Sequence, residues 1–221
     1  MKLESLGYEV IKSVLSEAQI SKCRAEADRV AQVAGSACVR HLRSKSQLFS
    51  DLALSDELKA LLPSKVMRPV RSILFDKTPE QNWPVSWHQD LTIAVKEKVE
   101  ISGYGPWSFK DGFPHVQPPV KLLENMATIR IHLDDTSEQN GALKVVAKSH
   151  FLGKLLTGRI SSEVSEEVIC ECRSGDVLLM KPLTLHASNR SLFPVRRRVL
   201  HFEYAYDGDL DSELEWAEVV K

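Results

Sequence analysis

The chain has 221 residues, 29 basic and 30 acidic side chains, a net charge of -1 and 43% hydrophobic residues. That length suits one domain with its own core, 1–221. The charge balance leaves no basic surplus for nucleic acid or an anionic membrane, and no apolar run reaches the roughly 18 residues of a membrane span. The start, MKLESLGYEV, lacks the apolar stretch of a signal peptide. A cytoplasmic protein is expected, with its oligomeric state open.

The first third reads helical. SVLSEAQISKCRAEADRVAQVAG carries Ser16 as an N-cap, apolar residues at helical spacing (Ile20, Cys23, Ala27, Val30) and Gly35 as a stop. A shorter helix is expected at SDELKALLP, capped by Ser55 and ended by Pro63. The texture then changes to β-branched or alternating apolar segments: VRSILFDK, MATIRIHLDD, ALKVVAKSH, EVICEC, GDVLLMKPL and RRVLHFEYAY. Short strands without intervening helices indicate an antiparallel sandwich or barrel. The expected fold is mainly β, a barrel core over 66–210 behind a helical layer over 1–65. Residues 96–124, rich in Gly, Pro and aromatics, read as a long lid or binding loop, or as a mobile insert.

Four cysteines in a chain without a signal peptide fit reduced thiols better than disulfides. Cys170 and Cys172 share a strand face as filler or, less readily, as a pair of metal thiolates.

Of seven histidines, any one alone is more often a surface or core residue than a ligand, so combinations decide. His88 and Asp90 in SWHQD are two apart, and on extended chain both side chains leave the same face. His186, in LLMKPLTLHASNRS, follows an apolar strand, a position suited to a barrel mouth. Two imidazoles and a carboxylate leave three coordination positions free, the donor set of non-haem Fe(II) oxygenases. Arg196, Arg197 and Arg198 open the next strand. A guanidinium there can clamp the distal carboxylate of a dicarboxylic keto acid.

These residues resemble the phytanoyl-CoA dioxygenase family of Fe(II)/2-oxoglutarate oxygenases. The matching stretches are WHQD at Trp87 to Asp90, NGALKVVAKSH from Asn140 to His150, GDVLLMKPLTLHASNRS and RRRVLHFEY, within about Val70 to Tyr206. The resemblance implies a double-stranded β-helix (jelly-roll, cupin-like) barrel using Fe(II), 2-oxoglutarate and O2. His88, Asp90 and His186 match the iron ligands. Arg197, eleven positions after His186, matches the oxoglutarate-binding arginine, and Ser188 a hydroxyl on the same carboxylate. Arg130 stands where relatives often place an aromatic, facing either the C1 carboxylate or an anionic substrate. A shortened loop after His186 leaves Arg196 and Arg198 as alternatives to Arg197, although strand alternation turns both the opposite way.

An aspartate at 90, rather than the small residue of halogenating relatives, favours hydroxylation. Acceptable substrates include an amino acid or a natural-product intermediate, since no basic tract suggests a CoA phosphate site. Candidate substrate contacts are Trp107 and His115 in the 96–124 loop, along with His132, His201 and Asn82; Lys77 is a further polar group at the rim. For these positions the competing readings are a solvated His115, a core His201 and an even choice for His132. His150 reads as packing and His41 as a surface residue. Two rivals stand beside this reading: a Zn(II)-type hydrolase, which leaves Arg197 and Ser188 without a role, and a non-catalytic binding barrel.

Overall fold

The computed structural model describes residues 2–164 and 166–218. Helix α1 (Lys2–Leu6) leads into strand β1 (Tyr8–Ile11), and α2 (Glu17–Ala34) follows. The α2 ends are those expected from local chemistry. Ser16 and Gln19 form a reciprocal capping box, and Gly35 closes the helix in the left-handed region at φ 59°. Ile20, Cys23, Ala27 and Val30 are its buried stripe. After β2 (Cys38–Arg40) come α3 (Leu42–Lys45), α4 (Gln47–Leu54) and α5 (Asp56–Lys59), the last capped by Ser55. The sequence reading found only the last of these three. His41 is not a surface residue: it is buried in a left-handed conformation, its ring 4.3 Å from that of Phe113 and 3.4 Å from the Glu218 carboxylate.

The remaining strands are β3 (Arg68–Lys77), β4 (Val85–His88), β5 (Ile93–Ala94), β6 (Trp107–Lys110) and β7 (Phe113–Val116). After α6 (Val120–Asn125) come β8 (Ala127–His132) and β9 (Leu143–Val146). Then α7 (Ile160–Glu163) precedes β10 (Glu167–Cys170), β11 (Val177–Met180), β12 (His186–Ser188) and β13 (Arg197–Ala205). Residues 96–124 are therefore no open loop: β6 and β7 form a hairpin that also pairs with β5, and α6 closes the segment.

All pairings are antiparallel and fall into three sheets. The largest has the order β1-β11-β8-β13-β3-β2, the second β10-β9-β12-β4, and the third β5-β7-β6. Strand β13 is buried throughout, and successive side chains take opposite faces. Leu200, Phe202 and Tyr204 pack with Phe49, Ala53 and Leu58 of the helical layer, and the Tyr204 hydroxyl donates to Ala53 O at 2.9 Å. The other face, Arg197, Val199, His201 and Glu203, lines a cavity. Arg71, Ile73, Phe75 and Lys77 of the paired strand β3 do the same.

The four cysteines are free. Cys170 and Cys172 pack with Leu143, Leu178 and Met180, and burial pushes both thiols up to about 12, so they are apolar filler and not thiolates.

Candidate active site and metal centre

Strands β4 and β12 are neighbours, with His88 directly opposite His186. A directly opposed antiparallel pair points its side chains to one face with Cβ atoms about 5 Å apart, and the two rings lie 4.1 Å apart centroid to centroid. Asp90 sits two residues beyond His88, tethered by its backbone N–H to Pro182 O at 2.9 Å. Its carboxylate faces both rings: His88 Nε2 is 3.7 Å from Oδ1 and His186 Nε2 is 3.6 Å from Oδ2. One donor atom from each of the three lies within 4.8 Å of the others, an ion-sized cluster.

The Nδ1 atom of each ring is occupied by the backbone, His88 with Ser86 O at 2.8 Å and His186 with Thr184 O at 2.9 Å. A carbonyl only accepts, so Nδ1 carries the proton and each Nε2 presents a lone pair to the shared space, the arrangement that orients histidine ligands in metal sites. Asp90 Oδ2 is buried without a hydrogen-bond partner. Burial acts to raise the Asp90 pKa, and the Arg71 guanidinium acts to lower it. Burial pushes His186 down to about 4, which keeps the imidazole neutral and able to ligate. A buried carboxylate oxygen with no donor, facing two free imidazole lone pairs, fits a divalent cation. Gln89 stiffens the motif, its amide donating to Gly153 O and Leu183 O while its carbonyl accepts from Leu155 N.

The cavity at this centre encloses about 440 Å³ between the two larger sheets. Arg197 and Ser188 line it, as do Arg130 and His201. Of the three consecutive arginines, Arg197 alone faces inward. Arg196 is held by Asp76 and Asp28, and Arg198 by Asp134 and Asp28. Arg197 has no acidic partner among the described residues; its guanidinium donates to Gly141 O, and burial with Arg130 nearby pushes its pKa down to about 10. Ser188 bonds Lys77 rather than Arg197: Lys77 Nζ donates to Ser188 Oγ at 3.3 Å and to Trp83 O at 2.6 Å. Burial, then Arg197 and Arg130, push Lys77 down to about 7.

Arg130 donates from Nη1 to His201 Nδ1 at 3.0 Å, so the His201 proton sits on Nε2, which donates to Glu203 at 3.1 Å. Arg71 Nη1 holds the same Glu203 oxygen at 3.0 Å. His201 is thus both a cavity wall and a hydrogen-bonded core residue. Asp90, His201 and Glu203 form a second group of close metal-type donors, but guanidiniums at Arg130 and Arg71 already balance it.

The other expected substrate contacts lie away from the cavity wall. His115 is fully buried with neither ring nitrogen bonded, not solvated, and burial pushes it down to about 4. Trp107 packs beside the apolar cluster of Val116, Leu122 and Leu123 under Lys98. His132 is buried with Nδ1 at 2.5 Å from Thr136 Oγ1. Asn82 pins the segment after β12 through both the carbonyl and the N–H of Ser191. The wall instead carries Arg71, Glu203, Arg40 and Lys110, which the sequence reading did not name. Alternation along β3 and β13 would have found the first two; Arg40 and Lys110 arrive from separate strands and carry no local signal.

Several solved structures share this fold. A solved structure of AviO1 from Streptomyces viridochromogenes Tue57 has 20% identity and a TM-score of 0.69, covering 95% of this chain and 94% of its own. The epimerase SnoN in complex with Fe3+, alpha ketoglutarate and nogalamycin RO has 18% identity and a TM-score of 0.71 over 92% of this chain and 80% of its own. HygX from Streptomyces hygroscopicus, with nickel, 2-oxoglutarate and hygromycin B bound, has 21% identity and a TM-score of 0.64 over 93% and 85%. No curated protein matches by sequence. The family model for phytanoyl-CoA dioxygenase (PhyH) matches residues 3–199. The chain belongs to the phytanoyl-CoA dioxygenase family of Fe(II)/2-oxoglutarate-dependent oxygenases.

Proposed function

We propose that this chain is a hydroxylase of a small organic molecule, with His88, Asp90 and His186 as its metal ligands and Arg197, Lys77 and Ser188 as the receptor for the distal carboxylate of 2-oxoglutarate. The observation that carries the reading is the unpartnered Asp90 Oδ2, buried and facing the free Nε2 atom of His186, with His88 alongside. When bound, Fe(II) with 2-oxoglutarate and O2 supplies an oxidant for C–H bonds, with succinate and CO2 as coproducts. The protein's part is positional. Ser86 and Thr184 carbonyls fix the imidazole tautomers, and Gln89 fixes the backbone between His88 and Asp90. Arg197, with no acid of its own, receives a carboxylate in a bidentate fork, and Lys77 adds a second cation. Arg130 is held by His201, which favours a fixed cation at the centre of the cavity over a mobile one.

Hydroxylation is preferred because Asp90 fills the position that a halide would need. Structurally similar proteins include an epimerase and a carbocyclase, so the outcome depends on which bond the substrate presents. In this reading 1–221 is a single oxygenase domain whose first 65 residues give helices α1–α5 and also the two edge strands, β1 and β2, of the largest sheet; the two larger sheets are the halves of a double-stranded β-helix, and the substrate is an amino acid or natural-product intermediate met in the cytoplasm. No described helix is long and apolar enough to cross a membrane.

The test is anaerobic titration of the protein with Fe(II) and then 2-oxoglutarate, watching for the visible charge-transfer band of the chelate. The band should form in the wild type and vanish in His186→Ala, together with 2-oxoglutarate consumption, while the folded structure persists. A His186→Ala protein that still turns over 2-oxoglutarate to succinate would sink the assignment, and hydrolysis of an ester or amide with Zn(II) and no succinate would favour the hydrolase.

A further inference from the structure

Six cationic side chains, Arg40, Arg71, Lys77, Lys110, Arg130 and Arg197, line the cavity against two carboxylates, Asp90 and Glu203, a surplus of four positive charges. A divalent metal and dianionic 2-oxoglutarate cancel each other, so both can bind without reducing it. Asp111 lies outside the cavity wall and offsets one charge through Arg40 at 2.6 Å. All the cations but the exposed Lys110 are buried or half-buried, and cations in such surplus are costly there unless an anion joins them.

The charges fall at two ends. Strand β13 pairs with β3 so that Arg197 stands opposite Lys77, and Glu203 opposite Arg71. Six residues separate the two pairs along the strand, roughly 20 Å of extended chain. Two-thirds of the way toward the Arg71 end, His201 stands opposite Arg130 and Ile73, and Arg40 of β2 pairs with Ile73 from the other side. The Arg197 end serves the cosubstrate. At the other end Arg71 is anchored by Glu203 and Thr92 O, and its Nε is buried without a partner, as is Arg40 Nε. Lys110, on the β6–β7 hairpin at the mouth, has no described ion pair.

We propose that the substrate is an organic anion, its carboxylate or phosphate received by Arg71, Arg40 and Lys110 at the end of the cavity opposite Arg197. This rests on the oxygenase reading for the meaning of the Arg197 end, but the anion site itself needs only the charges on the wall. The arrangement divides the labour: one anion at each end, and the metal ligands on the facing sheet between them. A guanidinium anchored by Glu203 presents its remaining N–H groups in a fixed plane, suited to a carboxylate or phosphate fork. Lys110 adds a charge at the entrance and steers the ligand inward.

The experiment uses the full chain loaded with Ni(II) and saturating 2-oxoglutarate, titrated calorimetrically with acetate and, as a stand-in for a phosphate ester, sulfate. At least one anion should bind once per chain without displacing 2-oxoglutarate, the tighter one identifying the headgroup. Lys110→Met and Arg40→Gln should each weaken it roughly threefold to tenfold, with Lys110→Arg restoring it and higher salt weakening it further. Neither anion binding, binding only in competition with 2-oxoglutarate, or affinity unchanged in both variants would overturn the proposal. The ferrous chelate band separates the two readings. If it forms while the anions fail, only the anion site falls; if it never forms while binding still depends on Lys110, the oxygenase reading falls and the anion site stands.

Discussion

Replacing Arg197 tests whether a buried cation is kept for its ligand. The side chain is buried, bonds one carbonyl and has no acid, and its pKa is pushed down to about 10. A drop of this size from 12.5 corresponds to about 3 kcal/mol held against folding, at 1.36 kcal/mol for each unit. Arg197→Met removes that burden and loses one charge-assisted hydrogen bond worth about 1.5–3 kcal/mol, so the metal-free variant should be as stable as the wild type or more so by up to about 1.5 kcal/mol. For a chain of this size, that is a melting temperature between unchanged and roughly 3–6 °C higher. The effect of cosubstrate should reverse the order. With Ni(II) present and 2-oxoglutarate at one hundred times the wild-type Kd, the wild type should gain about 2.7 kcal/mol. That is roughly 5–11 °C. Arg197→Met, with affinity lowered about a hundredfold, should gain only about 0.4 kcal/mol. Arg197→Lys keeps the charge without the fork and should lose roughly tenfold to a hundredfold in affinity. Differential scanning fluorimetry across a 2-oxoglutarate series reads all of this. An Arg197→Met protein that melts many degrees lower without ligand, yet shifts normally with it, would refute the reasoning and make the residue a structural brace.

Lys77, pushed down to about 7, should couple cosubstrate binding to protons. An anion favours the charged amine, so affinity should be flat below pH 7, fall by up to about tenfold per unit above it, and be accompanied by proton uptake. Calorimetry at pH 8 in buffers of different ionisation enthalpy checks this, and Lys77→Met should abolish the dependence. Arg196→Met should strand the buried Asp76 carboxylate and cost roughly 1–3 kcal/mol in urea unfolding while leaving 2-oxoglutarate affinity alone. A weaker affinity there would put the wrong arginine in the cavity. Gly141→Ala adds a Cβ 2.5 Å from Asn189 O at φ +80° and displaces the carbonyl that holds Arg197. Stability should fall by roughly 1–3 kcal/mol and 2-oxoglutarate affinity with it, the second change being visible in the same titration.

What was legible in the sequence followed how local the determining physics is. Ser16 and Gly35 bracket α2 because capping is settled within four residues, and alternation exposed β3 and β13 because one face of each meets a different environment from the other. The α3–α4 pair escaped because helices of four and eight residues carry too little periodicity. The β6–β7 hairpin had a signal: Asp111 and Gly112 both take positive φ, the Asp-Gly turn of a tight hairpin, but nearby prolines and glycines made the stretch read as a loop. The metal donors could be named from residue type and spacing, whereas their approach depends on β4 lying beside β12, a pairing between segments about a hundred residues apart. His115 and Trp107 were chosen for their chemistry, yet that chemistry is turned into the packing beneath the hairpin.

Strand β13 presents reactive chemistry to the cavity on one side and packing surface to the helices on the other, in strict alternation from Arg197 to Glu203. Its tolerance to change should therefore be sharply uneven. Substitutions at Val199 and His201 can alter the cavity while leaving Leu200 and Phe202 in the helical layer untouched, so ligand preference can drift through point changes alone. Loss or gain of a single residue near its start exchanges the two faces and drives guanidinium and carboxylate into the apolar layer. Among variants of this chain, innovation along β13 should arise by replacement and almost never by length change.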